Sequence, residues 1–253
     1  MQLGLVSLLW YLQTMSELAH LLSKIKEAPS RRELWGVVLE YYLSNGFDKI
    51  SYHSANAKTG EDGIVTHGFP DEWVCHYIGD HLEKIDPIPD LANALSYPFR
   101  WSEARTLSKL SKENLAYLDE LDASGIGDGL AFCVFGPKLR NAYVGLGFET
   151  RDNPPTSDEI IEFQLVAQLG HLQYCKLTDE RPLGRSRLSA REKQVLEWVA
   201  RGKSNGVIGE IMGISPHTVD SMMRRIYEKL GVADRTTAAI KALGSGLLQY
   251  HDI

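Results

Sequence analysis

Apolar positions along this chain fall into two regimes that change near residue 177. From Leu188 to Leu248 they recur every three or four residues, in short blocks bounded by cap and turn residues. That is the period of amphipathic helices. Ser189 and Glu192 form an S-x-x-E capping box before Val195, Leu196, Trp198 and Val199, and Gly202 ends that run as a C-cap. Ser204 caps a second short helix carrying Val207, Ile208, Ile211 and Met212, and Gly213 supplies the tight turn that a helix-turn-helix requires. Ser215 caps a third, with Pro216 in its first turn, where a missing N–H costs nothing. Inside it Val219, Met223, Ile226 and Leu230 share one side, while His217, Thr218, Asp220, Ser221, Arg224 and Arg225 occupy the other. A fourth helix is predicted from about Thr236 to Leu248, rich in Ala, Ile and Leu. Residues 188–253 thus read as an all-α four-helix unit.

Residues 16–176 alternate helical and extended signals. Helices are predicted near Ser16–Glu27, after a capping box at Ser30 and Glu33, and over Asp71–Gly79. Another runs from a cap at Ser111 to about Ala123, and a long one from the Thr156/Glu159 capping box to about Lys176. Phe47–His53 and Ile64–His67 read as short strands around a turn at Asp62-Gly63. Gly129–Gly136 and Ala142–Phe148 form the strongest strand pair, joined by a turn containing Pro137. Strands grouped between helices and joined as hairpins predict an antiparallel sheet inside a three-layer α-β-α domain. The polar, Pro- and Gly-containing stretch 177–187 is the expected linker. The class is α+β: a three-layer α-β-α domain at 16–176, a linker at 177–187 and an all-α helix-turn-helix domain at 188–253.

Charge sharpens this division. The chain has 253 residues and a net charge of −6, an odd balance for a DNA-binding protein if spread evenly. From Lys176 to the end, thirteen Lys/Arg face nine Asp/Glu, a balance of +4 that leaves −10 on residues 1–175. Only the tail is suited to meet phosphate. The three cysteines, Cys75, Cys133 and Cys175, are far apart and lack C-x-x-C spacing. That points away from a metal finger or disulfide framework and towards a reducing cytoplasm. The apolar stretch Leu3–Leu12 has no basic residue before it and no small-residue cleavage site after it, and no segment reaches the length of a membrane span. Met15 is an alternative start. His76 and His81 are not at metal-ligand spacing, and the chain has no Gly-rich phosphate loop or nucleophile elbow. A non-enzymatic protein without metal or cofactor is expected.

A helix bearing hydroxyls, a histidine and paired arginines after a Gly-containing turn suits a DNA major groove. The run from Leu188 through Glu192, Leu196 and Gly202, then Gly213-Ile-Ser-Pro-His-Thr218-Val219, Lys229-Leu-Gly-Val232 and Arg235-Thr236, closely resembles the DNA-binding domain of LuxR-type transcription regulators. Met222 departs from that pattern, standing where many members carry His. Upstream, Trp73-x-x-x-Tyr77, Asp86-Pro87, Trp101 and Gly129 resemble the acyl-homoserine-lactone pocket of LuxR-type quorum-sensing receptors.

The resemblance implies a ligand-responsive transcription factor. Its Trp73 donates to a lactone carbonyl, Asp86 accepts the amide N–H, Tyr77 donates to the acyl carbonyl, Trp101 lies against the ring and Gly129 leaves space. It further implies pairing through the fourth helix, a palindromic double-stranded DNA site, a homodimer and RNA polymerase as a further partner. In a gapless reading of the second strand, Gly145 falls where members often carry a Ser or Thr that contacts the acyl or 3-oxo oxygen, which removes that hydroxyl. Two rivals are an orphan regulator of the same family, sensing another small molecule or none, and a phosphorylation-controlled response regulator. The second requires a doubly wound parallel front domain.

Overall fold

The computed structural model describes residues 16–55, 62–95, 97–137, 140–148, 154–178 and 188–249. They form two compact units, one ending at Thr178 and one beginning at Leu188. The Leu3–Leu12 stretch, the alternative start at Met15 and linker positions 179–187 lie outside the described residues. Leu177 and Thr178 still belong to a helix.

In the front unit, α1 occupies described residues 16–27 and α2 Arg31–Ser44. Strand β1 is Lys49–Ala55, β2 is Asp62–His67 and α3 is Asp71–Gly79. Helix α4 spans Pro87–Ala94, β3 is Phe99–Arg100, α5 is Ala104–Leu107 and α6 is Lys112–Ala123. Strand β4 (Asp128–Val134), β5 (Ala142–Phe148) and α7 (Ser157–Thr178) complete it. The sheet runs β2-β1-β5-β4-β3, every pair antiparallel.

Alternation along the strands gives the sheet two apolar faces. Ile50, Leu130, Phe132, Val134, Ala142, Val144, Leu146 and Phe148 pack against Ile25, Tyr42, Phe163 and Val166 of α1, α2 and α7. On this side the Tyr42 hydroxyl donates to the Phe163 carbonyl at 2.9 Å. Ala131 and Tyr143 face the opposite way, towards Tyr77, Ile88, Leu91, Trp101, Tyr117 and Leu121 from α3, α4 and α6. The result is the three-layer α-β-α domain with its antiparallel sheet.

Several expected boundaries move. Asp62 and Gly63 do not form a turn, because they pair with Ala55 and Ser54 inside the β1–β2 ladder. Strand β1 begins at Lys49 rather than Phe47, whose ring is drawn into the core beside Tyr42 and Phe163. Strand β4 ends at Val134, short of Gly136. Helices α4 and α5 and the edge strand β3 were not anticipated. Two prolines, Pro87 and Pro89, leave α4 readable as a turn, yet both sit in its first turn, where a backbone N–H has no acceptor within the helix and its loss breaks no helical bond.

The second unit contains α8 (Ala190–Ala200), α9 (Asn205–Met212), α10 (Pro216–Leu230) and α11 (Arg235–Gly244). Ser189, Ser204, Ser215 and Asp234 each cap a helix by accepting a backbone N–H from three residues on. Gly213 and Gly231 end α9 and α10 in the left-handed conformation, at φ 66° and 62°. Arg201 is the C-cap of α8, and Gly202 takes the left-handed position just beyond it at φ 75°. Helix α11 stops at Gly244, before the expected Leu248. A turn through Gly246, φ 72°, sends Leu248 back into the core formed by Val195, Leu196, Ile208, Val219 and Ile226. No described helix is long and apolar enough to cross a membrane.

Candidate functional site

The second face of the sheet does not close completely. Between it and helices α3, α4 and α6 lies a cavity of about 520 Å³, including the part open to solvent. Trp73, Tyr77, Asp86 and Trp101, separated by up to 28 positions in sequence, all line it. Pro87 does not line it. It is the first residue of α4 and fixes the backbone after Asp86, the helix N-cap.

Asp86 is buried and uses both oxygens. Oδ1 accepts the Ile88 N–H and Oδ2 accepts the Tyr77 hydroxyl, each at 2.9 Å. Burial pushes its carboxyl up to about 6, although the Ile88 N–H and the Tyr77 and Tyr117 phenols pull the other way. Burial and the neighbouring Asp86 carboxylate raise both phenols far above their ordinary value, so they remain protonated donors. Tyr77 has one proton, and it is committed to Asp86. Donation to an acyl carbonyl therefore competes with this internal bond.

Trp101 is held by its neighbours. Asp128 accepts from the Ser102 N–H at 3.1 Å and the Ser102 hydroxyl at 2.8 Å, and pairs with Arg100 at 2.6 Å. The indole lies over two glycines: a Cβ on Gly129 would come within 2.6 Å of Trp101 Cε2, and one on Gly147 within 2.7 Å of Cη2. Trp101 is only 6% exposed, and its buried Nε1 has no hydrogen-bond acceptor. A buried donor without a partner costs roughly 1–3 kcal/mol, so this atom marks a place where an acceptor is favoured.

Ser51, His53, Thr66, Phe69, Tyr117 and Tyr143 also contribute to the lining, and sequence reading missed them. Strand parity carried the signal for three of them: residues 51 and 53 on β1 and 143 on β5 alternate with the core positions 50, 144 and 146. His53 is wedged against the Tyr77 and Tyr143 rings, and burial lowers it to about 4, leaving a neutral imidazole. His76 lies outside the cavity. Its Nδ1 meets Asp80 at 2.7 Å and its Nε2 meets Glu120 at 2.5 Å, tying α3 to α6.

In the second unit, the apolar side of α10 is buried at Val219, Met223 and Ile226. On its other side His217, Asp220, Arg224 and Arg225 are exposed, and Thr218 and Ser221 are half-buried. These six are not equally free. Ser221 donates to the His217 carbonyl at 3.0 Å, Arg225 Nε donates to the Ser221 carbonyl at 3.3 Å, and the Thr218 and Ser215 hydroxyls meet at 2.8 Å. Asp220 accepts from Asn205, whose other amide atom accepts from Arg235 at 2.8 Å, a brace joining α9, α10 and α11. Among the described residues, the Arg224 side chain and the His217 ring make no hydrogen bond or ion pair.

Glu192 stabilises this unit. It is 3% exposed, accepts the Ser189 N–H at 2.6 Å and binds Lys229 Nζ at 2.8 and 2.6 Å. Burial opposes its charge, but Lys229 and both the N–H and hydroxyl of Ser189 outweigh that and hold its carboxyl below the usual range. Leu196 is fully buried at the centre of the core.

An interior apolar cavity with a few fixed polar groups, on a chain that also carries a capped helix-turn-helix, defines a small-molecule-controlled DNA-binding protein. Residues 30–174 match the autoinducer binding domain family, and residues 186–242 match the luxR family of bacterial regulatory proteins. The chain belongs to the LuxR-type autoinducer-binding transcription regulators, a family of regulators rather than enzymes.

It is 27% identical over 186 residues to the HTH-type quorum sensing-dependent transcriptional regulator RpaR of Rhodopseudomonas palustris, covering 73% of this chain and 75% of that protein. It is also 27% identical over 216 residues to the transcriptional activator protein LuxR of Aliivibrio fischeri, covering 83% and 82%. The crystal structure of Escherichia coli SdiA shares the fold, with a TM-score of 0.73 at 21% identity over 93% of this chain and 99% of that one.

Proposed function

We propose that this regulator binds an acyl-homoserine lactone in the front cavity and, as a homodimer, a palindromic promoter site through α10. The observation that carries the reading is the convergence of Trp73, Tyr77, Asp86 and Trp101 on one cavity with the buried Trp101 Nε1 unpaired. A lactone amide supplies what such a site lacks: an N–H for Asp86 and carbonyl oxygens for indole and phenol donors. Trp73 serves the lactone carbonyl. Tyr77 shares its proton between Asp86 and the acyl carbonyl, Trp101 lies along the ring, and Gly129 gives Trp101 its room. The site binds its ligand and does not transform it.

The output side rests on α10 and α11. His217, Thr218, Asp220, Ser221, Arg224 and Arg225 face the groove, with Arg224 free to reach phosphate or a guanine edge. On α11, Ile240 is 61% exposed, an apolar side chain suited to a two-fold contact with a second copy. The working domains are 16–178 and 188–253, joined by 179–187, two residues of the expected linker being the last of α7. Cys75, Cys133 and Cys175 form no disulfide among the described residues, which suits a reducing cytoplasm. Contact with RNA polymerase belongs to the same reading, since one relative is a transcriptional activator.

Ligand binding stabilises the folded front unit by RT ln(1 + [L]/Kd), about 2.7 kcal/mol at a hundredfold excess over Kd. Thermal stability and soluble yield of the full chain should rise with at least one member of an acyl-homoserine-lactone panel of graded chain length. No shift with any member would remove the lactone from this reading.

A further inference from the structure

Gly145 carries no hydroxyl, yet the space above it is polar. A Cβ built on Gly145 would meet both Tyr143 Oη and Ser51 Oγ at 2.5 Å. Such distances are closer than real side chains tolerate, so the phenol of Tyr143 occupies the volume that a Ser or Thr at position 145 would fill. The register explains how. Ser51 pairs with Gly145 across β1–β5, and Tyr143 precedes Gly145 by two residues on the same face of β5, so its ring can lean along the strand over the glycine.

Three polar groups meet here. Trp101 Nε1 and Ser51 lie close enough to Tyr143 to favour the charged form of its phenol, but burial outweighs them and keeps it protonated. Even so, Trp101 Nε1 does not reach hydrogen-bond geometry with it and stays unpaired. A phenol has one proton and two lone pairs. If its proton turned to an acceptor oxygen in the cavity, a lone pair would become available to the Trp101 N–H, and the orphan donor would be satisfied in the same step.

We propose that Tyr143 is the specificity residue of this cavity: seated over Gly145 between Trp101 and Ser51, it reads a carbonyl oxygen on the acyl chain of the ligand, the 3-oxo group. It replaces the missing hydroxyl of residue 145, and Gly145 must stay glycine to leave room for it. The assignment rests on the lactone reading above and adds a preference to it.

The test is calorimetric titration of the full chain with N-(3-oxohexanoyl)- and N-hexanoyl-homoserine lactone, which differ only in the oxygen concerned. Wild-type protein should favour the 3-oxo lactone by about tenfold, the worth of one neutral hydrogen bond together with a satisfied buried donor. Tyr143→Phe keeps the ring and should reduce the ratio to near one. The double variant Tyr143→Ala/Gly145→Ser moves the hydroxyl onto residue 145 and should restore most of the preference, which a merely structural role for Tyr143 does not predict. Equal wild-type binding of the two lactones, or an unchanged ratio in Tyr143→Phe, overturns the assignment while leaving lactone binding intact. Where neither six-carbon lactone binds, the same pair is compared at the chain length that stabilises the protein most, and binding of no lactone of any length overturns both.

Discussion

The two units reach function by opposite routes. In the second, every residue proposed to meet DNA lies within one short segment: Ser215 caps α10, Gly213 turns into it, and its exposed side follows from helical period alone. In the front unit, Trp73 and Tyr77 come from α3, Asp86 from the start of α4, Trp101 from the turn after β3 and Tyr143 from the middle of the sheet. A local motif survives by its own caps and is read by an external partner. A cavity assembled from distant pieces depends on the packing of the whole layer, and one buried donor in its lining, Trp101 Nε1, has no acceptor. That difference suits a switch, with the incomplete unit taking the signal and the self-sufficient one delivering it.

The largest expected effect tests whether the units fail separately. Leu196→Ala empties the centre of a core of about sixty residues and should cost about 2–5 kcal/mol, enough to unfold so small a unit. DNA binding should disappear while lactone-dependent protection of residues 16–178 from proteolysis persists. Loss of both together would show that the units are not energetically distinct. Gly129→Ala is the counterpart in the front. Its methyl would lie 2.6 Å from Trp101 and 2.7 Å from the Leu146 carbonyl, so the sheet or the indole must move, at about 1–3 kcal/mol. A lower melting temperature for the front unit and weakened lactone binding are expected, with the second unit's melt unchanged. Unaltered lactone affinity would remove Gly129 from the cavity's supports.

Acid should separate the units further. His53 is neutral when folded, at about 4 against an ordinary 6.5, so the unfolded chain takes up a proton first and stability is lost as pH falls between those values. Asp86 works against this. Its folded value of about 6 exceeds the ordinary 3.8, so the folded protein takes up the proton first and gains relative stability as pH falls through that window. Each unit of difference corresponds to about 1.4 kcal/mol. Asp86→Asn removes the compensating uptake, so its front unit should lose stability more steeply from pH 6.5 to 4.5 than the wild type. Parallel curves for the two proteins would sink the raised value of Asp86. Glu192 contributes stability that is present above its unfolded value and lost only as pH falls through its lowered folded value, so the second unit should hold across the same window.

The smallest effects belong to the exposed side of α10. Arg224→Ala should leave both melts within about 0.5 kcal/mol, yet weaken operator binding and reduce its salt slope by about one. Unchanged affinity at moderate salt would take Arg224 off the DNA. Ser221→Ala should alter affinity less still, because that hydroxyl is already bonded to the His217 carbonyl.

Sequence legibility followed the same division. Capping boxes at Ser189/Glu192, Ser111/Asn114 and Thr156/Glu159 are local chemistry, so helix starts were legible. The Ser189/Glu192 and Thr156/Glu159 boxes were read as such, and at Ser111 only the cap was. Where an element depends on its neighbours, reading failed. Asp62-Gly63 looks like a turn until β1 offers it partners, and Asp86-Pro87 reads equally as a helix start or a turn until Asp86 is seen to cap α4.

Local periodicity and cap chemistry by themselves determined the helices of the second unit and the polar side of α10, because each depends on residues within a turn or two of one another, and the grouping of strand and helix signals pointed to an α-β-α front domain. Only tertiary structure decided which aromatic and acidic side chains share a cavity, that Tyr77 spends its proton on Asp86, that Trp101 Nε1 is left without an acceptor, and that Tyr143 stands where residue 145 has nothing to offer. Those facts arise from strand register and close packing between segments far apart in the chain, which no local pattern encodes.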